Sequence, residues 1–447
     1  MLPKNANMYR KITEQLIQWV GQQERLPLIM RGARQTGKSY LIEQLGKKHF
    51  ANCIVINFEQ HPKYASCFAS LDVTQIITAI SLICRQEIIP GKTLLFFDEI
   101  QECPKAIMAL RYFKEQMPAL HVIAAGSLLE FALEQENLRI PVGRVQYIYL
   151  RPMSFEEFLL AGNHNKLFEY LQTISLATVV PAAIHEELLK LVKTYLLLGG
   201  MPAILASYFS EHNLQRCQHL QTSLLSTYRN DFSKYASKAE NKYLEKVFDK
   251  TPRLIGQQVK YVEIDTLAKS RDLANALELL TKTQIISKIY ATSASGLPLH
   301  AQVNEKKFKL QFLDVGLVLR ACGLDTETFF QEDLMLINQG ALCEQFVGQE
   351  LLAYSDCYEN TKLHYWTREK KGSLAEIDFV ITFGTKIMPI EVKAGKTGWL
   401  RSLRSFIEEK NCPFGIRISK HPLSLESQII SIPFYLTGQL TRLLKTL

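Results

Sequence analysis

Short apolar runs recur through the first part of the chain and predict the strands of a parallel sheet. A strand that is covered on both faces reads as an unbroken apolar stretch, and helical patterns between such strands indicate an α/β fold. The runs lie at residues 26–30, 53–58, 93–97, 121–125 and 145–150. We therefore expect an α/β domain over residues 1–150.

Helical periodicity replaces these runs over residues 151–227. Ser154 begins a capping-box pattern, and residues 186–198 form an amphipathic stretch. Gly199 and Gly200 interrupt it. The pattern predicts a helical segment between two domains.

Residues 228–325 have the layout of a winged helix. Three helices are predicted: the first at residues 243–257, the second opening at residues 265–268 and the third at residues 270–280. Two strands follow, at residues 285–290 and 307–312, on either side of a turn at residues 296–298. The third helix has the position of a recognition helix, but only Arg271 and Lys282 are plausible groove contacts. A fold used for packing is the alternative.

The pattern after residue 326 predicts a further α/β domain over residues 326–447. Its helix is expected at residues 342–353, and its strands at residues 363–367, 376–382 and 387–393.

Charge is unevenly distributed along the 447 residues. The net charge is +8, which is modest for a chain of this length. Residues 228–320 carry 16 basic and 10 acidic side chains (+6), and residues 360–420 carry 12 and 6 (+6). Between them, residues 321–359 have eight acids and no Lys or Arg. The two basic blocks favour contact with DNA or RNA.

Several classes of protein are disfavoured. With 47% hydrophobic and 21% charged residues, the chain is globular and not disordered. Its nine cysteines form no CxxC pair, so we expect reduced thiols in a cytoplasmic protein. We see neither a signal peptide nor an apolar run long enough to span a membrane.

The segment GARQTGKS has the spacing of a phosphate-binding loop between a strand and a helix. Backbone N–H groups and the helix N-terminus would face the phosphates. Lys38 can reach the β- and γ-phosphates, and the Ser39 hydroxyl can ligate Mg²⁺. The predicted nucleotide-binding residues are Gly32, Ala33, Arg34, Gln35, Thr36, Gly37, Lys38, Ser39 and Tyr40. The spacing alone leaves ATP and GTP open.

Asp98 and Glu99 follow the apolar run at 93–97, at the edge where ligands bind in open α/β sheets. Asp98 would hold Mg²⁺, and Glu99 would orient and deprotonate the attacking water. Ser127 also ends a predicted strand, where it could sense the γ-phosphate or cap a helix. Arg144 or Arg139 could act as an arginine finger on a neighbouring subunit, or could be solvated surface side chains.

A second set of charged residues lies in the C-terminal domain. Asp378 and Glu391 are on adjacent predicted strands, and Glu391 and Lys393 should share a face because strand side chains alternate. Two facing carboxylates can hold a divalent metal, with Lys393 beside a water and Glu344 completing the shell. A hairpin whose carboxylates pair with lysines is the alternative.

Several stretches together resemble the prokaryotic AAA+-type ATPases with a C-terminal domain of unknown function, over essentially the whole chain. They are RGARQTGKS, LLFFDEIQECP, AAGSLLEF, VGRVQYIYLRPMSFEEF and LGGMPAIL. The resemblance implies a P-loop AAA+ core, a helical lid over residues 151–227, and ATP as the nucleotide. The order Glu344, Asp378, Glu391-x-Lys393 also resembles the PD-(D/E)xK nuclease core, with Ile377 in place of the proline.

Three hypotheses follow. The first is a cytoplasmic, Mg²⁺-dependent AAA+ ATPase that acts on or near DNA or RNA and can form a homo-oligomer. The second is an ATP-gated, metal-dependent nuclease that uses the C-terminal carboxylates. The third is a nucleotide-switched interaction protein.

Overall fold

The computed structural model describes residues 8–126, 129, 143–234, 236–324, 339–368, 375–395 and 400–447. Ser127 and Arg139 lie outside the described residues, so their suggested roles stay predictions.

Five parallel strands form the first sheet, in the order β2-β3-β4-β1-β5. They are β1 (Leu28–Arg31), β2 (Asn52–Asn57), β3 (Thr93–Asp98), β4 (His121–Ala125) and β5 (Gln146–Tyr149). Each coincides with one of the apolar runs to within about two residues. The predicted parallel α/β core is confirmed.

Helices cover both faces of this sheet. They are α1 (Thr13–Gly21), α2 (Lys38–His49), α3 (Val73–Cys84) and α4 (Pro104–Gln116). Along β3, Leu94 and Phe96 pack with α1 and α2, whereas Leu95 and Phe97 pack with α3 and α4. This alternation explains why residues 94–97 of β3 are all apolar: both faces of the strand are buried.

A helical segment follows, as predicted. It contains α5 (Phe155–Ala161), α6 (Asn165–Thr173), α7 (Ala182–Leu198), α8 (Pro202–Glu211) and α9 (Leu214–Asp231). Ser154 caps α5 in a complete capping box. Gly199 ends α7 with φ +76°, and a Cβ there would lie 1.9 Å from Asp314 Oδ1, so a side chain is excluded at that position.

The next segment has the predicted order of three helices and two strands. Its elements are α10 (Lys238–Leu254), α11 (Tyr261–Ile264), α12 (Ser270–Lys282), β6 (Ile286–Thr292) and β7 (Val303–Phe312). The prediction of the second helix at residues 265–268 was wrong. Asp265 Oδ1 accepts a hydrogen bond from Leu267 N there, which favours a turn over a helix.

The remaining elements complete a second sheet. They are α13 (Val315–Ala321), α14 (Gln339–Ala353), β8 (His364–Thr367), β9 (Glu376–Phe383), β10 (Lys386–Lys393), α15 (Arg401–Lys410), β11 (Gly415–Ser419), β12 (Ser424–Glu426), β13 (Ile429–Pro433) and α16 (Leu440–Leu444). The strand order is β12-β13-β11-β10-β9-β8-β6-β7.

The β6–β7 hairpin is therefore the edge of an eight-stranded sheet. It joins the C-terminal strands through β6 and β8, which pair in parallel at Tyr290 and His364. The boundary predicted between residues 325 and 326 thus lies between two parts of the chain that share one sheet. One hydrophobic core, which extends from Met8 to Leu444, joins these parts to the helical segment.

Within the described ranges, no helix has both the length and the apolar character needed to cross a lipid bilayer.

Candidate nucleotide site and a buried carboxylate cluster

The glycines of the predicted phosphate-binding loop are required by its backbone. Gly32 has φ +153°, and a Cβ there would lie 2.4 Å from the Leu150 carbonyl oxygen. Gly37 has φ +96° and directly precedes α2. The loop therefore wraps closely around the start of the helix, which directs backbone N–H groups toward one point.

Lys38 is buried inside this loop. Its Nζ donates hydrogen bonds to the carbonyl oxygens of Gly32 (2.8 Å) and Ala33 (2.9 Å). Burial lowers the pKa of Lys38 to about 8, although the charges of Glu99 and Asp98 oppose the shift. Phosphate oxygens would be stronger acceptors for this ammonium than neutral carbonyls.

Asp98 and Ser39 lie in contact at the carboxyl edge of the sheet. Ser39 Oγ donates to Asp98 Oδ2 at 2.9 Å, and Asn57 Nδ2 donates to the same oxygen at 3.2 Å. Burial raises the pKa of Asp98. A hydroxyl and a carboxylate side by side are the oxygen ligands that Mg²⁺ prefers, so these residues fit a magnesium ion. Asn57 was not predicted, although it is the last residue of the neighbouring strand β2.

Glu99 follows β3 with a left-handed backbone, φ +48°. Gln101 Nε2 donates to Glu99 Oε2 at 2.7 Å and so fixes the orientation of the carboxylate. Gln101 was also not predicted as a site residue, although it belongs to the stretch LLFFDEIQECP.

Arg144 lies away from the loop of its own subunit. It precedes β5, which is parallel to β1, and the phosphate-binding loop follows β1. Arg144 therefore lies near the opposite edge of the sheet, where its Nε pairs with Glu115 at 3.0 Å. An arginine-finger role would require a second subunit, and it stays a prediction.

Residues outside the sequence motifs form hydrogen bonds with the phosphate-binding loop. Arg34 Nη1 donates to Asp231 at the end of α9 (2.9 Å), and Tyr228 Oη donates to the Arg34 carbonyl oxygen (2.9 Å). Buried Arg10 donates to the Thr36 carbonyl oxygen at 2.9 Å and pairs with Glu157. The helical segment thus contacts the loop directly.

The second predicted site is also brought together. Asp378 on β9 accepts a hydrogen bond from Val392 N on β10 (2.7 Å), next to Glu391. Glu391 Oε1 and Lys393 Nζ are 2.5 Å apart, so the prediction that they share a face is confirmed. Burial, with the nearby charge of Asp378, raises the pKa of both Glu344 and Glu391.

Lys309 on β7 lies between these carboxylates and was not predicted. Its Nζ is 2.6 Å from Glu376 Oε1, 3.2 Å from Glu344 Oε2 and 3.8 Å from Asp378 Oδ1. We call Glu344, Glu376, Asp378 and Glu391 the carboxylate cluster.

The carboxylate cluster does not fit a divalent ion as it stands. In the part of the chain that the structure describes, no three His, Cys, Asp or Glu side chains are placed to hold a metal. Metal–oxygen distances are about 2.0–2.6 Å for Mg²⁺ and Ca²⁺, whereas these carboxylates surround an ammonium group.

Comparison with known proteins identifies the first domain. Residues 24–159 match the family model described as an AAA domain. This segment is similar to AAA domains of P-loop ATPases, and we call it the AAA domain. Residues 189–328 and 339–435 match two further models, each described as a domain of unknown function (DUF8612 and DUF4143). The resemblance noted above is confirmed for the P-loop AAA domain, while the nuclease likeness stays a prediction.

Individual relatives are distant from this chain. The uncharacterised protein MJ1544 of Methanocaldococcus jannaschii is 29% identical over 177 residues, which cover 39% of this chain and 35% of that protein. The chain therefore spans about a third of this curated relative's length.

Two solved structures are similar in part. The Walker-type ATPase PABY2304 of Pyrococcus abyssi is 15% identical with a TM-score of 0.47, covering 72% of this chain and 98% of its own. The ORC2 protein of Aeropyrum pernix, in ADPNP–ADP complexes, is 11% identical with a TM-score of 0.36, covering 72% and 96%.

Proposed function

We propose that the AAA domain binds ATP with Mg²⁺ and hydrolyses it to ADP and phosphate. The observation that carries this proposal is the contact of Ser39 with Asp98 beside the loop that holds Lys38. ATP is preferred over GTP on the strength of the family resemblance.

Each residue has a distinct role in this proposal. The loop amides and Lys38 bind the phosphates, and Ser39 and Asp98 hold Mg²⁺, which would neutralise phosphate charge. Glu99, oriented by Gln101, accepts the proton of the attacking water. Ser127 would sense the γ-phosphate, and Arg144 would serve a neighbouring subunit in a homo-oligomer.

Removal of magnesium tests the proposed reaction. We expect phosphate release from ATP in Mg²⁺ buffer and its loss, by about a hundredfold or more, in excess EDTA, because the metal stabilises the transferred phosphoryl group. Readdition of Mg²⁺ should restore turnover, and GTP at equal concentration should compete weakly. Hydrolysis that persists unchanged in EDTA would contradict the proposal.

We further propose that residues 238–312 contact nucleic acid as a winged helix. The support is a group of exposed basic side chains at the end of α10 and the starts of α11 and α12: Lys250, Arg253, Lys260, Lys269 and Arg271. Lys269 and Arg271 flank the N-terminus of α12, where backbone N–H groups also favour phosphate.

A salt series tests this contact. Replacing Lys260, Lys269 and Arg271 together by alanine should weaken DNA binding and reduce the slope of log affinity on log salt by about two to three, because each lost phosphate contact removes roughly 0.9. The matched control replaces three exposed lysines of the AAA domain, Lys47, Lys48 and Lys92. Equal slopes in the two triple variants would contradict the proposal.

For the C-terminal domain we propose a nuclease-like fold over residues 339–447. The order of Glu344, Asp378 and Glu391-x-Lys393 on α14, β9 and β10 supports it. We propose no cleavage step, because the carboxylate cluster does not fit a divalent ion.

We also propose a cytoplasmic location. The nine cysteines are free thiols, which suits that location.

A further inference from the structure

Among the residues that the structure describes, the most deeply buried lysine outside the AAA domain lies in the carboxylate cluster. Only 1% of the Lys309 side chain is exposed, and its Nζ lies within 4 Å of Glu344, Glu376 and Asp378. Burial lowers the pKa of Lys309, but the three carboxylates outweigh that effect and raise it overall. The ammonium group of Lys309 is therefore held inside the protein against three carboxylates.

The backbone fixes where this ammonium lies. Lys309 is on β7 and pairs in register with Ile289 of β6. On the other side of β7, Val259 N donates to the Phe308 carbonyl oxygen at 3.0 Å. The Lys309 Nζ also lies 5.4 Å from the centre of the Tyr365 ring. A change in the position of Lys309 would therefore require a side-chain rearrangement within a paired strand.

One oxygen of the carboxylate cluster is left without a partner. Glu391 is only 5% exposed, and its Oε2 has no hydrogen-bond donor among the described residues. The Oε1 atom of Glu391 pairs with Lys393. Burial raises the pKa of Glu391, and the nearby charge of Asp378 raises it further. A buried carboxylate oxygen without a donor is a position that a cation would satisfy.

The charges of the cluster indicate what it lacks. Four carboxylates (Glu344, Glu376, Asp378 and Glu391) face two ammonium groups, those of Lys309 and Lys393. Carboxylates this close are costly to bury unless a cation lies between them. In the described structure Lys309 is the cation that lies between three of them.

We propose that the Lys309 ammonium group takes the place of a divalent cation and keeps one from binding. Strand β7 thus supplies, through Lys309, a positive charge to the carboxylate cluster. A divalent ion would need the same oxygens and would be repelled by an ammonium group a few ångströms away. This proposal concerns a different site from the ATPase and does not rest on ATP hydrolysis.

The test measures the binding of Mn²⁺ to the 447-residue chain without nucleotide. The electron paramagnetic resonance signal of free Mn²⁺ reports how much of the ion stays unbound. The variant Lys309→Met should bind Mn²⁺ at least about tenfold more tightly than the wild type, which is the scale on which residues around a metal change its affinity. The double variant Lys309→Met, Asp378→Asn should return to the wild-type level, because it lacks a ligand.

Two single variants serve as controls. Lys309→Arg keeps a positive charge in the cluster, so it should bind Mn²⁺ no more tightly than the wild type. Lys288→Met removes a lysine from the neighbouring strand, where it pairs with Glu278 outside the cluster, and it should also leave binding unchanged.

Three results would overturn the proposal. The first is wild-type protein that binds Mn²⁺ as tightly as Lys309→Met. The second is a folded double variant Lys309→Met, Asp378→Asn that binds Mn²⁺ as tightly as Lys309→Met. The third concerns folding: if neither Lys309→Met nor the more polar Lys309→Gln folds, added Mn²⁺ should restore folding by supplying the missing charge. Failure of Mn²⁺ to do so would show that the ammonium group and the ion do not share a position.

Discussion

Replacement of Glu99 by glutamine is expected to lower the ATP turnover number by a factor of about 10² to 10⁴, the usual range for loss of a general base. Glutamine has nearly the same shape but cannot accept the proton of water. ATP affinity should stay close to that of the wild type, because Lys38 and the loop amides are untouched. Phosphate release and equilibrium binding of ATP, measured on the same preparation, separate the two effects.

A neighbouring carboxylate provides the control for this experiment. Glu102 is three residues further on and exposed, so Glu102→Gln should leave turnover unchanged. If Glu99→Gln hydrolysed ATP at the wild-type rate, another residue would have to serve as the base, and the role proposed for Glu99 would be wrong.

Replacement of Lys38 by alanine is expected to weaken nucleotide binding by about a hundredfold or more. Hydrogen bonds to charged groups contribute about 1.5–3 kcal/mol each, and Lys38 has two acceptors within 2.9 Å that phosphate oxygens would replace. Loss of two such bonds corresponds to at least about two factors of ten in the dissociation constant. Calorimetric titration with ATP and with ADP measures the change.

The control for Lys38 lies on the same helix. Lys47 is exposed near the end of α2, where it pairs with Glu43 at 3.9 Å. Lys47→Ala should therefore bind nucleotide as the wild type does. An unchanged ATP affinity in folded Lys38→Ala protein would contradict the assignment of this loop as the phosphate site.

Local patterns were sufficient to predict the first domain. The strands of a sheet that is covered on both faces are marked by apolar runs, as β3 shows, and the phosphate-binding loop depends on glycine positions only a few residues apart. The predictions of β9 and β10 succeeded for the same reason. In each case the signal lies within one short segment.

Contacts between distant segments could not be predicted in this way. Arg10 lies 26 residues before Thr36, whose carbonyl oxygen it binds, and 147 before Glu157. Lys309 lies 35 residues before Glu344. Its neighbours Lys306 and Lys307 are not buried, so the sequence around it resembles an ordinary solvated strand. Only the pairing of β6 with β8 places Lys309 beside the carboxylates.

The shared hydrophobic core has a consequence for how the protein is made. His185 of α7 contacts the hydroxyl of Tyr435 at 2.8 Å, across 250 residues of chain, and Arg442 donates to the Leu171 carbonyl oxygen at 2.9 Å. At a synthesis rate of about 5–20 residues per second, these helices wait roughly 12–50 s for their partners. We therefore expect the apolar faces of α6 and α7 to lack these partners until residues 434–444 have left the ribosome.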